Sequence, residues 1–307
     1  MTEQLHLFAD DETGKARGDS REAGWEGPAG GVDELWRASA RWSRGGDLLE
    51  LFDFLCRFPG YTPLNAFLIL LQNPQATQVA TARAWITRHG RRIRPGARPI
   101  AILAPMSPVV FVFDVADTLG PPPSPAGPSP GSGAKKSAAR FFDALAGRLA
   151  AARVAVTLAE PPPSPAERSL RLTPALRRSL GAAAPPARMR ALVRLPQSLP
   201  PEERLAALAV ELAHLFCGHL GGDEEAGFPD RGELPAGQID LEAESAASLA
   251  CRRLGFAEAQ AQLLSSLRER PGEELPPFSL NAVFQAATRI EALGRAALRH
   301  GRGRGSP

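Results

Sequence analysis

Apolar residues recur at helical spacing through residues 33–58, where Leu35, Trp36, Leu48, Leu49, Phe52, Leu55 and Cys56 mark one face. The run PGYTP at 59–63 ends that pattern. Two short helices are expected next, over 65–72 (NAFLILLQ) and 82–90 (ARAWITRHG), the second closed by Gly90. The period then changes. RRIRPGARPIAILAP reads as strand, Pro-Gly turn and strand, which predicts a β-hairpin, and VVFVFDVADT at 109–118 reads as a further, buried strand. Beyond residue 138 the pattern predicts a helix over 138–152, strands at 154–158 and 191–195, and mostly helix from Pro200 onward.

Composition divides this pattern into blocks. The chain of 307 residues carries 29 Gly and 30 Pro, and they crowd into GPPPSPAGPSPGSGAKKS at 120–137, a linker that is semi-rigid where proline dominates. Residues 9–31 are polar, charged and Gly-rich, the composition of a disordered segment. The expected organisation is a disordered tail (1–31), a small N-terminal α/β block with a β-hairpin (32–119), the linker (120–137), a mostly helical domain (138–298) and a fraying basic tail (299–307), an α+β protein. The three cysteines, Cys56, Cys217 and Cys251, form neither a C-x-x-C pair nor a disulfide framework. No apolar run approaches a membrane span, and the first residues lack a signal-peptide pattern, so a reducing cytoplasm is the expected location and no membrane partner is implied.

Net charge is only +3, so any affinity for nucleic acid has to be local. One segment qualifies. Arg83, Arg88, His89, Arg91, Arg92, Arg94 and Arg98 surround Trp85, and no acidic residue occurs between Gln72 and Phe113. Guanidinium groups track phosphates and aromatic rings stack on bases, so Trp85, Arg88, Arg91, Arg92, Arg94 and Arg98 are candidates for binding single-stranded DNA. Strand alternation would put Arg92 and Arg94 on one face with Ile93 opposite. The competing reading is a solvated basic face with Trp85 in the core. Asn65 and Gln72 are expected to satisfy backbone groups rather than to bind a ligand.

The second candidate is LAVELAHLFCGHL at 208–220. Ser198, Pro200, Pro201, Glu202 and Glu203 predict a helix start with a capping hydroxyl, and Gly218 predicts its end. In zinc hydrolases two histidines one helical turn apart bind the metal, and the glutamate after the first activates water. Here Glu211 and His214 are in place, but Val210 stands where the first histidine would be. A carboxylate from IDLEAESAASLACRRLG (239–255), either Glu242 or Glu244, is the candidate third ligand, with Cys217 and His219 as further donors. The plain alternative is a core histidine hydrogen-bonded to one of those glutamates.

Together, ELAHLFCGHLGG and EAESAASLACRRLG resemble the bacterial ImmA/IrrE-like metallo-endopeptidases, in the branch similar to ArdC antirestriction proteins. That branch shows H-E-L-A-H, then C-G-H-L-G, then E-A-E-S. The segment from YTPLNAFLILLQ to ILAP, followed by VFVFDVADT, is similar to the ArdC-type N-terminal domain, so the resemblance covers about Leu48–Thr118 and Leu192–Leu298. It implies a zincin-like domain behind a domain associated with single-stranded DNA. Carried over, Glu211 matches the general base, His214 the second metal ligand and Glu242 the third, with Glu244 the alternative. Cys217 and His219 stand in the family pattern beside an intact first histidine, so neither reads as its replacement. Losing one ligand at Val210 implies that zinc is held weakly or not at all. The leading expectation is a single-stranded-DNA-binding protein with a degenerate peptidase site. The alternatives are an active zinc metallo-endopeptidase that cleaves a regulatory protein, and a non-catalytic module that holds a protein partner in the peptidase cleft. Finally, QLHLF in the N-terminal tail (Gln4, Leu5, Leu7, Phe8) resembles the peptides with which bacterial proteins dock on the DNA sliding clamp.

Overall fold

The structure, a computed structural model, describes residues 40–104, 109–123, 137–225, 227–256 and 267–302. The clamp-like residues Gln4, Leu5, Leu7 and Phe8, the tail at 1–31, most of the linker and the last residues from 303 lie outside the described residues.

The N-terminal block opens with α1 (Gly45–Arg57), whose Leu48, Leu51, Phe52 and Leu55 are buried along one stripe. Thr62 caps α2 (Pro63–Gln72) by accepting from the Asn65 amide, with Pro63 pre-set in the first turn. Thr81 does the same for α3 (Ala82–His89) through the Ala84 amide, and Gly90 closes that helix in the left-handed conformation, as its position predicts.

The strands pair differently from expectation. β2 (Arg92–Ile93) pairs antiparallel with β5 (Thr118–Leu119), whereas β3 (Ile100–Ile102) pairs with β4 (Val110–Asp114), which also takes β1 (Val79–Ala80) on its other side. The two arms of the expected hairpin are therefore not partners. The Arg94–Ala97 turn does form, with the Ala97 amide on Arg94 O. Beyond it, β3 buries Ile100 and Ile102 beside Val112 of β4, and this apolar match outweighs local pairing across the turn. β3 is the outer strand, and α2 lies along it. Gln72 exchanges hydrogen bonds with Ala101 (2.8 and 2.9 Å) and Asn65 with Leu103 (2.8 and 3.0 Å), each carboxamide acting as one residue of a neighbouring strand. Both side chains thus satisfy backbone groups, in line with their sequence reading.

The second block builds on α4 (Ala138–Leu149) and a three-stranded sheet. β6 (Val154–Ala159) runs parallel to β8 (Ala191–Pro196), and β7 (Ser169–Arg171) lies antiparallel on the other side of β8. Short helices α5 (Pro165–Arg168) and α6 (Pro174–Leu180) flank β7. These three elements fall in a Pro-interrupted stretch whose apolar pattern is too short to read. Three long helices follow: α7 (Pro201–Cys217), α8 (Ala236–Leu254) and α9 (Leu280–Arg302). α9 continues past residue 298, the expected end of the domain. The whole is α+β, mostly helical with small sheets. Among the described residues no helix is long and apolar enough to cross a membrane.

The two blocks share one apolar core. Trp42 meets Phe67 edge-on (5.0 Å between centroids), and Phe67 meets Phe284 of α9 at 5.3 Å. Arg253 of α8 reinforces the junction. It is buried, donates Nε to Glu291 of α9 (2.6 Å), and spreads its remaining N–H groups over the carbonyls of Leu55, Phe58 and Tyr61 in the α1–α2 turn. Arg295 adds bonds to Glu291 and to Pro59 O, both 2.7 Å.

Candidate functional site

Helix α7 starts without the expected cap. Its N-cap is Pro200, and no side chain, Ser198 included, caps the first turn; Pro201 and the acidic Glu202 and Glu203 at the positive end suffice. The stripe Leu205, Leu208, Ala209, Leu212, Leu215 and Phe216 is buried, and Ala207, Val210 and His214 on the opposite side are half-buried. Gly218 ends the helix at φ 86°, and a Cβ there would lie 2.5 Å from Pro229 O. Only glycine permits that approach. The chain then doubles back. The Arg231 amide bonds to Gly218 O (2.9 Å), and Asp223 and Phe228 exchange backbone hydrogen bonds. His219 and Arg231 are thereby returned to the end of α7.

There they meet Glu242, which α8 holds fully buried. The His219 and His214 Nδ1 atoms are 3.2 Å apart, and His219 Nε2 is 3.1 Å from Glu242 Oε2. Arg231 grips the same carboxylate with both terminal nitrogens, at 2.6 Å to Oε2 and 2.8 Å to Oε1. Gln238 Nε2 (3.0 Å) and the Ser279 amide (2.8 Å) complete Oε1. Five donors therefore converge on one carboxylate, which offers about four lone-pair directions. Burial alone would raise the Glu242 carboxyl, but the hydrogen bonds from His219, Arg231, Gln238 and Ser279 outweigh it and hold it at about 2. Ionised Glu242 only accepts, so His219 donates to it from Nε2.

The other expected site residues separate around this network. Glu211 is buried but turns to β7, where it accepts from the Ser169 hydroxyl. Burial raises its carboxyl, with the Ser169 hydrogen bond opposing. Glu244 is exposed on α8 with Asp240 as its charged neighbour, so of the two glutamates only Glu242 joins the network. Cys217 is buried, and its thiol rests 3.8 Å from Ala282 O; burial, with the Glu242 charge adding, pushes it up to about 12. Ligand atoms of Cys217, His219 and Glu242 lie within 4.8 Å of one another, the most compact donor set among the described residues. Ser169 and Arg231 were missed by sequence reasoning. Each sits in a stretch with no periodicity, far in sequence from its carboxylate.

The network predicts two acid transitions. Burial, reinforced by His219, lowers the His214 imidazole to about 4 from 6.5. Between those values the unfolded chain binds a proton that the folded chain refuses, so stability falls as pH drops from 6.5 toward 4. Glu242, ordinarily near 4.5, stays ionised to about 2, so its stabilisation is present above 4.5 and is lost as pH falls toward 2. Urea midpoints at a series of pH values test this. His214→Gln is expected to flatten the upper window and Glu242→Gln the lower one. A parent-minus-variant difference that stays constant with pH would refute the assignment.

In the N-terminal block two candidate DNA contacts are corrected. Trp85 is fully buried, and its indole N–H donates to Phe113 O at 2.8 Å, so the ring is core and cannot stack on a base. Arg91 is also buried and is spent on Thr118 and the carbonyls of Gly120 and Pro121. Arg88, Arg92, Arg94 and Arg98 are exposed, with Ile93 half-buried between Arg92 and Arg94, as alternation predicts. The same block exposes a different aromatic. Phe111 on β4, opposite Ala101, is 49% exposed. Read as a uniformly buried run, VVFVFD concealed it. Period two, with Val110, Val112 and Asp114 on one face, would have turned Phe111 outward.

No protein-family model matches this chain, and no curated protein or solved structure matches it.

Proposed function

We propose that this protein binds single-stranded DNA through its N-terminal block and carries, behind it, a zincin-like helical domain that no longer hydrolyses peptides. The observation that carries the first half is the exposed rank of Arg88, Arg92, Arg94 and Arg98, within a segment free of acidic residues, on the block that presents Phe111. Exposed guanidinium groups suit phosphates and an exposed ring suits bases. The second half is supported by Val210, which supplies no ligand, and by Glu211, whose carboxylate is engaged with Ser169. The ArdC-like resemblance supports the single-stranded-DNA and zincin-like parts of this reading, and the departure from it at Val210 supports the loss of hydrolysis.

The test is fluorescence anisotropy with a labelled oligothymidine and a duplex of equal length, over a salt series. Single-strand preference is expected, with log affinity falling against log salt by about 0.7 per phosphate contacted. Equal binding to both probes, or none at low salt, would overturn the reading.

A second reading, a partner-binding module, is favoured by a pocket of about 660 Å³ under the 218–231 loop, where Arg171 and Arg190 face Asp223, Glu224 and Asp230 beside Phe228. Its mixed charge suits a peptide better than a nucleic acid.

A further inference from the structure

A zinc ion shared by His214 and Glu242 would need a ligand atom of each about 2 Å away. Instead the two side chains bond to opposite nitrogens of one imidazole, that of His219. Glu242 is also gripped at both oxygens by a guanidinium. A dication and a guanidinium compete for the same lone pairs and repel one another. The compact set Cys217, His219 and Glu242 fares no better, because its carboxylate is already filled by Arg231, Gln238, the Ser279 amide and His219 itself. The residues present therefore do not fit a zinc ion in the arrangement they hold.

We infer that the 218–231 loop is an internal plug: the His219 ring joins the two retained ligand positions, Arg231 supplies the positive charge, and together they exclude zinc independently of Val210. The loop is held at both ends and at its tip. Gly218 accepts from the Arg231 amide, Arg231 Nη1 reaches Cys217 O, and Glu225 is clamped by Arg153 (2.8 Å) and Arg190. Restoring a histidine at position 210 would leave the His219 and Arg231 contacts to Glu242 in place.

The inference rests on the zincin-like reading of α7 and α8, and the experiment separates the two. Zinc per chain is measured by elemental analysis after loading with zinc and exhaustive dialysis, for the parent, for Val210→His, and for Val210→His combined with His219→Ala and Arg231→Ala. Circular dichroism verifies that each is folded. The single variant is expected to stay far below one zinc per chain and the triple variant to approach about one. Stoichiometric zinc in Val210→His alone overturns the plug and upholds the zincin-like reading. No zinc in the folded triple variant sinks that reading, and the plug with it. Should the triple variant not fold, Val210→His with Arg231→Gln takes its place. It keeps a donor on Glu242 but removes the charge, and zinc must rise above that of Val210→His alone for the plug to stand.

Discussion

Truncating Arg253 to alanine is expected to destabilise the folded chain by about 3–5 kcal/mol, the cost of breaking a buried ion pair from one side. The guanidinium is 2% exposed and bonds to Glu291, itself 4% exposed, and to three backbone carbonyls. Its loss leaves Glu291 with Arg295 alone and takes a donor from the carbonyls of Leu55, Phe58 and Tyr61, of which the first two keep the amides of Phe58 (3.3 Å) and Tyr61 (3.1 Å). Chemical denaturation followed by tryptophan fluorescence measures the effect as a lowered midpoint. The double variant Arg253→Met with Glu291→Leu is expected to recover only part of the loss. Replacing an ion pair by apolar groups is often neutral, but the Tyr61 carbonyl still loses its guanidinium donor, at about 1–3 kcal/mol when unsatisfied. A loss under about 1 kcal/mol in Arg253→Ala would show that the junction between the blocks does not depend on this residue.

Joint replacement of Arg92, Arg94 and Arg98 by alanine is expected to weaken binding to single-stranded DNA by roughly 50-fold near 0.15 M salt, and to reduce the salt slope by about 2. Both figures follow from removing three phosphate contacts at about 0.7 released counterions each. All three side chains are exposed, so the variant should retain its fold. Phe111→Ala acts differently. Stacking contributes about 1–3 kcal/mol per base, and its loss lowers affinity without changing the slope. Trp85→Ala cannot serve in place of Phe111→Ala, because it removes a core ring. Anisotropy titrations at several salt concentrations separate the two kinds of loss. An unchanged slope in the triple-arginine variant would place the DNA elsewhere.

Much of this arrangement is legible in the chain, and the legible parts share a cause. The bounds of α7 and the left-handed stops at Gly90, Gly218 and Gly255 follow from prolines, acids and glycines acting within a turn or two of themselves. The sequence also brings His214 and Glu242 to one place, because helices that are apolar on their facing sides pack together. What it hides is non-local. Arg231 lies in a polar loop where nothing marks it as the partner of Glu242, and His219 between His214 and Glu242 depends on the sharp reversal at Gly218. Trp85 and Phe111 exchange roles for a similar reason. Which face of a short element turns inward is decided by what packs on it, and β4 provides an acceptor at Phe113 O for the buried indole while leaving Phe111 on its outer side.

The carboxamides of Asn65 and Gln72 have a consequence beyond the fold of their own block. A small sheet that exposes Leu103 and Phe111 next to an unpaired outer strand is a template for self-association, since a second copy could add its own strand along β3. Two side chains from α2 occupy the hydrogen-bonding places such a strand would use. They leave the apolar and basic surface open to a ligand while denying a neighbouring molecule the backbone contacts from which aggregates grow.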